Sequence, residues 1–534
     1  MRVGAFILLF LLAAGCADNA QPTSDPATVD AAEPKSGGDV VMTISGDPAV
    51  LNPAITASAV DVPLGSLMYE SLVRFGPGFT VEPNLAKSWT ISADGLTYTF
   101  DLVDANWLDG KPFTSDDVKF TLEEVSSKYG PLFAGAGKKI KEIKTLGEHK
   151  VEISLNAPYG PFLGSLTNEK NGQILPKHIF EGSDVTKNTA SLTAPVGTGP
   201  FMLKEWVRGS HLTFEKNPNY WREGRPYLDQ VIARIIPVAA QRSLSLRADE
   251  VDYIEAYFLP LGDLATFKGD DRFVIFEAAF PASDVIVVNT KRPPLDKPQV
   301  RQALLQAIDR NYLNAAAYFG TGAPAKSAID SRLSQASDLS LDYDELYPYD
   351  VAAANAKLDA AGLEPDASGF RFSIDLLIDA GKPELPQIAE TLKQYWGAIG
   401  VKVDITGVER TVMFKKLYGD YDYGAALRTY DTGGDPAVGV ARLYTTDSID
   451  PSRRFNNASQ YSNPEVDALF IKGRDASTVE ERGKYYGEAA QILAKDLPVL
   501  NYHERAYISA RNSRVQNVDL TGYLLWWDQV WVSE

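Results

Sequence analysis

The run Arg428-Thr-Tyr-Asp431-Thr-Gly-Gly-Asp435-Pro436 gathers a guanidinium, a phenol and two carboxylates in a short span. Such a set suits recognition of a charged small molecule. Asp431 or Asp435 can pair with a ligand cation, Arg428 can grip a carboxylate or another anion through its planar fork, and Tyr430 adds a ring and a hydroxyl. The run follows Tyr421-Asp-Tyr423 and the apolar Ala425, Ala426 and Leu427. A strand breaking at Gly433-Gly434 would leave these side chains on a loop held by a rigid scaffold. The plainer alternative makes Asp435-Pro436 the cap of the next helix and Asp431 a turn residue.

Catalytic patterns are sparse elsewhere. The four histidines, His149, His178, His211 and His503, form no i, i+4 pair and no metal-ligand spacing, so no metal or cofactor is expected. His211 falls on an expected strand, as a surface or packed residue. There is no Gly-x-Ser-x-Gly elbow for a serine hydrolase. Gly135-Ala-Gly-Lys138 lacks the upstream glycine and the following Ser or Thr of a phosphate loop and is read as a flexible loop. Abundant carboxylates leave a glycosidase-like pair open. Trp526, Trp527 and Trp531 are a stacking platform or, more plainly, packing for the terminal strand. No catalytic residue is assigned.

Charge and cysteine usage narrow the class. Asp and Glu number 70 against 52 Lys and Arg, a net charge of −18 that repels phosphate backbones and argues against nucleic acid. Cys16 is the single cysteine, so the fold has no internal disulfide and stands on its core. Residues 1–16 read as a signal: Arg2, an apolar run from Phe6 to Leu12, then Ala13-Ala-Gly-Cys16. The run is short of the roughly 18 residues of a membrane span. Residues 17–38, rich in Ala, Asp, Pro, Ser and Gly, are expected to be a disordered tether.

The elements that must position the Arg428 run can be read from periodicity. Leu96, Tyr98, Phe100 and Leu102 alternate as a strand, and Val151, Ile153 and Leu155 as another. Thr114 with Asp117 predicts a capping box, opening a helix with Val118, Leu122 and Val125 on its apolar face. Residues on either side of Arg208-Gly-Ser210 predict a hairpin. Val300, Ala303, Leu304, Ala307 and Ile308 make a helical stripe. Ile388, Leu392, Tyr395, Trp396 and Ile399 make another, stopped by Gly400 before the alternating Val401, Val403 and Ile405. That succession is an α/β unit.

Asn84-Leu-Ala-Lys-Ser-Trp89, Ala93-Asp-Gly-Leu-Thr-Tyr-Thr-Phe-Asp-Leu102 and Trp107-Leu-Asp-Gly-Lys-Pro-Phe-Thr-Ser-Asp-Asp-Val118 closely resemble the signature of the family 5 extracytoplasmic solute-binding proteins of ABC importers. So do, in order, Pro195-Val-Gly-Thr-Gly-Pro-Phe201, Asn217-Pro-Asn-Tyr-Trp221, Val288-Asn-Thr290, the segment from Val300 to Arg310, Tyr349-Asp350 to Ala361-Gly362, and Tyr461-Ser-Asn-Pro-Glu-Val-Asp467. The resemblance implies an α/β, two-lobed periplasmic-binding-protein fold of the class II type, with hinge crossovers and an extra domain inserted in the first lobe. It places the first-lobe core at 39–52, 185–280 and 503–534, the inserted domain at 53–184 and the second lobe at 281–502. It also implies a monomeric, non-enzymatic receptor that captures a small solute, a peptide or peptide-like molecule foremost, and delivers it to a permease driven by ATPases.

The signal resembles that of a bacterial lipoprotein, with Cys16 lipidated and the protein anchored to the membrane on the extracytoplasmic side. Leu12 stands four places before the cysteine and Ala13 takes the usual leucine position; without lipidation the product would be secreted and soluble. In peptide-binding members the loop matching Arg428–Pro436 carries an aspartate that pairs with the peptide ammonium. Counted back from Pro436 that position is Thr432, and Asp431 matches only with one residue inserted in Gly433-Gly434. Arg428 stands where the family often has Trp. Residues 57–64 match a segment whose backbone approaches the cleft. An extracellular peptide or glycan hydrolase, and a signalling or chaperone-type binding protein on the same fold, remain the alternatives.

Overall fold

A computed structural model describes residues 33–533 apart from 257, 279, 334–340, 383 and 519–523. The signal, Cys16 and most of the expected tether lie outside the described residues. The chain divides after Pro34, and the fold below is that of the unit beginning at Lys35.

Two large sheets organise the molecule. One has seven strands in the order Phe273–Ala278, Tyr507–Asn512, Tyr253–Ile254, Asp39–Ile44, Gln230–Ile235, His211–Lys216 and Phe201–Val207. The other has six, in the order Ala323–Pro324, Val499–Glu504, Ala282–Val288, Ala425–Asp431, Phe372–Asp379 and Val401–Val408. The chain passes between them twice, from Ala278 to Ala282 and from Glu504 to Tyr507. A separate antiparallel sheet of four strands, Ala86–Ile91, Thr97–Leu102, Lys150–Leu155 and Ile140–Thr145, lies in sequence between the first strand of the seven and its return at Phe201.

Local chemistry accounts for these elements. In Thr97–Leu102 every second residue is buried, and Tyr98, Phe100 and Leu102 fill a core with Val118, Leu122 and Val151. The Thr114 amide donates to the Asp117 carboxylate at 2.9 Å, closing the capping box. The hairpin around Arg208–Ser210 forms between Phe201–Val207 and His211–Lys216. The stripe that begins at Val300 lies on the helix Pro298–Gln306, with Ala307 its cap and Ile308 just beyond. The helix Leu385–Gly397 leads into Val401–Val408 through Gly400 at φ +74°, where a Cβ would stand 3.1 Å from the Gly369 carbonyl. Trp396 ties that helix to its neighbour, its indole N–H donating to the Leu304 carbonyl at 3.0 Å.

The two passages between sheets are bound together by side chains. The Arg505 amide donates to the Ala282 carbonyl at 2.8 Å. Arg332 donates to that same carbonyl at 3.2 Å and to the Arg505 carbonyl at 2.9 Å, while its charge meets Asp330 and Glu277. Asp284, buried, accepts from Arg505 Nε at 3.0 Å and from Thr429 at 2.6 Å, and its other oxygen lies 3.1 Å from His503 Nδ1. Burial alone would raise the Asp284 pKa, but the Arg505 guanidinium, His503 and Thr429 outweigh it and hold the carboxyl well below the usual range. His503 stacks on Tyr318, ring centres 3.8 Å apart.

Candidate functional site: a charged cavity at the open end of a strand

The strand Ala425–Asp431 pairs along its full length with Ala282–Val288 on one side. On the other it meets Phe372–Asp379 only at Ala425 and Ala426. From Leu427 onward that edge has no strand partner among the described residues, which leaves it open at the carboxyl ends of two parallel strands, a common place for ligand crevices in α/β sheets. A cavity of about 640 Å³ occupies the gap. Its lining includes Asp379, Lys382, Arg410, Arg428, Asp431 and Tyr507. Ala57 and Ala59, Ala256 and Leu259 approach from the part of the chain that carries the seven-stranded sheet.

Asp431 and Arg428 both reach this cavity. Asp431 is exposed, and its Oδ1 accepts from the Tyr507 hydroxyl at 2.7 Å, leaving the second oxygen available. Burial, with the Asp431 charge beside it, raises the Tyr507 phenol well above its ordinary pKa and keeps it a donor. Arg428 is 9% exposed and lies on the opposite face of the strand. Its neighbours there are Met413 Sδ at 3.9 Å and the rings of Phe414, Phe455 and Tyr430, whose centres lie 5.1, 5.6 and 5.8 Å from its guanidinium carbon.

The structure does not bring Tyr430 and Asp435 to that cavity. Tyr430 is buried in the core and shares a 2.9 Å hydrogen bond with the Tyr418 hydroxyl. Asp435 caps the helix Pro436–Gly439, accepting from the Ala437 amide at 2.9 Å, and pairs with Arg482. It lines a different cavity of about 320 Å³ with Phe75, Tyr98, Tyr159, Lys170 and Arg482. The tryptophans near the C-terminus pack: Trp527 and Trp531 are buried, and Trp526 lies under Arg74 and donates to the Phe75 carbonyl. His211 lies on its strand beside Glu205. Among the described residues no cluster of three or more His, Cys, Asp or Glu side chains could hold a metal ion.

Sequence reasoning missed Arg410, Lys382, Phe414, Phe455 and Tyr507. Each lies on a different element from Arg428 or far from it along the chain, and only the fold collects them. One signal was available for the crossovers: Asp284 is a carboxylate inside the otherwise β-forming run Ala282–Val288, and a buried charge requires partners.

Residues 80–460 match the profile of the Bacterial extracellular solute-binding proteins, family 5 Middle. The chain belongs to this family. It is 28% identical over 510 residues to Heme-binding protein A of Haemophilus influenzae, covering 91% of each chain. It is 28% identical over 481 residues to the Dipeptide-binding protein of Escherichia coli, covering 85% of this chain and 87% of that one. The solved structure of HbpA2 from Haemophilus parasuis superposes with a TM-score of 0.81 at 24% identity, over 93% of this chain and all of the other, a likeness of fold. The protein is therefore a two-lobed, extracytoplasmic solute-binding receptor of the ABC-importer class. Among the described residues no helix is long and apolar enough to cross a membrane.

Proposed function

We propose that this receptor binds a short peptide or peptide-like zwitterion in the 640 Å³ cavity, with Asp431 receiving the ligand's ammonium group. The observation that carries the reading is the open edge of Ala425–Asp431 ending on that carboxylate. An extended peptide laid along the edge finds backbone donors and acceptors, and its N-terminal charge finds Asp431. The ligands for which the relatives are named, dipeptide and heme among them, support a small-molecule cargo and span a wide range of it.

The division into a first-lobe core (39–52, 185–280, 503–534), an inserted domain (53–184) and a second lobe (281–502) is supported by the two large sheets and the four-stranded one, except that the strand Val499–Glu504 carries the second lobe's sheet two residues past 502. The passages at 280–281 and 505–506 then act as the hinge about which the lobes close on the ligand. Closure needs no covalent step, and we assign no catalytic residue. Cys16 is the lipid attachment point, and the monomeric protein hands its solute to a membrane permease and its ATPases.

The test is calorimetric titration with alanine tripeptide and with its N-acetylated form. Binding of the first, loss on acetylation, and recovery of the peptide intact after incubation are expected. Equal affinity for both forms would remove Asp431 from ammonium recognition, and hydrolysis would revive the enzyme reading. Lipidation predicts a fatty-acid mass on the mature N-terminus that Cys16→Ala abolishes.

A further inference from the structure

We infer that the cavity contains an anion subsite, built by Arg428 and Arg410 on its wall with Arg454 nearby across the ring of Phe414, and that it selects a ligand carrying an acidic group beyond the terminal carboxylate. This deepens the peptide reading and rests on it for the ligand's other end. The guanidinium carbons of Arg410, Arg428 and Arg454 lie 5.3, 5.1 and 5.4 Å from the centre of that one ring. Among the described residues none of the three forms an ion pair with a carboxylate. Arg428 Nε, fully buried, has no hydrogen-bond partner at all. Arg442 next to them differs: it donates to the backbone carbonyls of Gly439, Phe455 and Asp431.

Three cations gathered around one phenyl ring repel one another. Cation–π attraction offsets only about 0.5–2 kcal/mol each, whereas a guanidinium buried without a counter-charge costs several kcal/mol. Among the described residues no carboxylate on the wall makes an ion pair with these arginines. Asp431 receives the Tyr507 hydroxyl, Glu384 lies 3.6 Å from Arg505, and Asp379 accepts from the Gly381 amide. Lys382, also on the wall, adds another cation with no carboxylate partner among the described residues. The missing partner comes from outside. Arg410 and Arg454 are exposed and draw an anion in, while the buried Arg428 binds it in a medium where charge pairing is strong.

The experiment titrates alanine tripeptides carrying one glutamate, at each position in turn, against their glutamine counterparts. It uses the wild type, Arg428→Met, which keeps a long apolar side chain against Met413 and Phe414, and the surface variant Arg410→Ala. At least one glutamate peptide should bind roughly tenfold tighter or more than its counterpart, the value of one charge-assisted hydrogen bond. The gap should vanish in Arg428→Met and shrink in Arg410→Ala. Equal binding of every Glu/Gln pair overturns the inference, even if amidating the C-terminus weakens all of them, because the subsite then serves the terminal carboxylate. If no tripeptide binds, glutarate is the probe. A rise in wild-type melting temperature that Arg428→Met abolishes sustains the anion subsite while the peptide reading falls, and no rise overturns both.

Discussion

The arginines at the crossovers and those at the cavity are the same chemistry in opposite states. Arg505 meets Asp284 and Glu384, and Arg332 meets Asp330 and Glu277, so each mostly buried charge at the hinge has its counter-charge built into the chain. Arg428, more buried than either in its surroundings of Met413, Phe414 and Phe455, has none among the described residues. A hinge must return to one geometry after each cycle, and internally satisfied ion pairs define that geometry without help. A binding site must leave some of its interaction energy unrealised until the ligand arrives. The contrast implies that removing charge from the two regions should shift stability in opposite directions.

The largest effect is expected at the hinge. Asp284→Ala leaves Arg505 and His503 buried without their shared carboxylate, a loss of about 3–5 kcal/mol. Thermal or denaturant unfolding of the ligand-free protein measures it. The pH dependence sharpens the test. The folded pKa of Asp284 lies below its ordinary value of 3.8, so its contribution is fully present above that pH and is lost as pH falls toward the depressed folded pKa. The wild-type advantage over Asp284→Ala should therefore be constant from neutral pH to about pH 5 and shrink below pH 4. An advantage that stays unchanged into strong acid would mean that Asp284 acts through packing and not through its charge.

Asp431→Ala should come next, and in binding more than in folding. Burying a ligand ammonium without its partner weakens the complex by at least about a hundredfold, at 1.4 kcal/mol per tenfold. Stability should change by only about 0.5 kcal/mol, since the residue is exposed. Titration of wild type and variant with the same peptide, alongside a melt, separates the two. In small-angle scattering, ligand should contract the wild type and leave Asp431→Ala unchanged at the same concentration. Near-wild-type affinity in the variant would make the carboxylate a partner for Tyr507 alone.

What the sequence disclosed and what it withheld follow from the range of the interactions involved. The Thr97–Leu102 strand, the Thr114–Asp117 box and the helix–Gly400–strand unit depend on residues within a few positions of one another, and periodicity plus capping chemistry were enough to place them. That Arg428 and Asp431 close a strand was legible because the Gly433-Gly434 break marks its end. Tyr430 and Asp435, close by in sequence, go elsewhere. Strand alternation turns Tyr430 into the core, and Asp435, past the glycines, caps the next helix. The Asp284–His503 contact spans 219 residues, and the Phe414–Phe455 pair joins separate elements. Only the order of strands in the sheet makes them neighbours, and no local pattern encodes that order. His503 accordingly looked like an isolated histidine and lies beside the crossovers, at the end of its strand and 3.1 Å from Asp284.

The smallest effect decides most about the contrast. If Arg428 is held unpaired for the ligand's sake, Arg428→Met should make the empty protein more stable, because an apolar chain of similar length fits Met413 and the surrounding rings without the desolvation cost of a charge. A gain on the order of 1 kcal/mol is expected, in line with replacements of buried charges by packed apolar groups. The same variant should lose the extra rise in melting temperature that an acidic ligand gives the wild type, since that rise scales with differential binding to the folded state. Melting both proteins with and without ligand yields the four values required. A destabilised empty variant would place Arg428 with Arg332 and Arg505 as a structural cation, its charge already balanced by the field of the folded chain. A stabilised one that no longer responds to acidic ligands would identify the charge as strain kept for recognition, the opposite of the ion pairs that hold the crossovers.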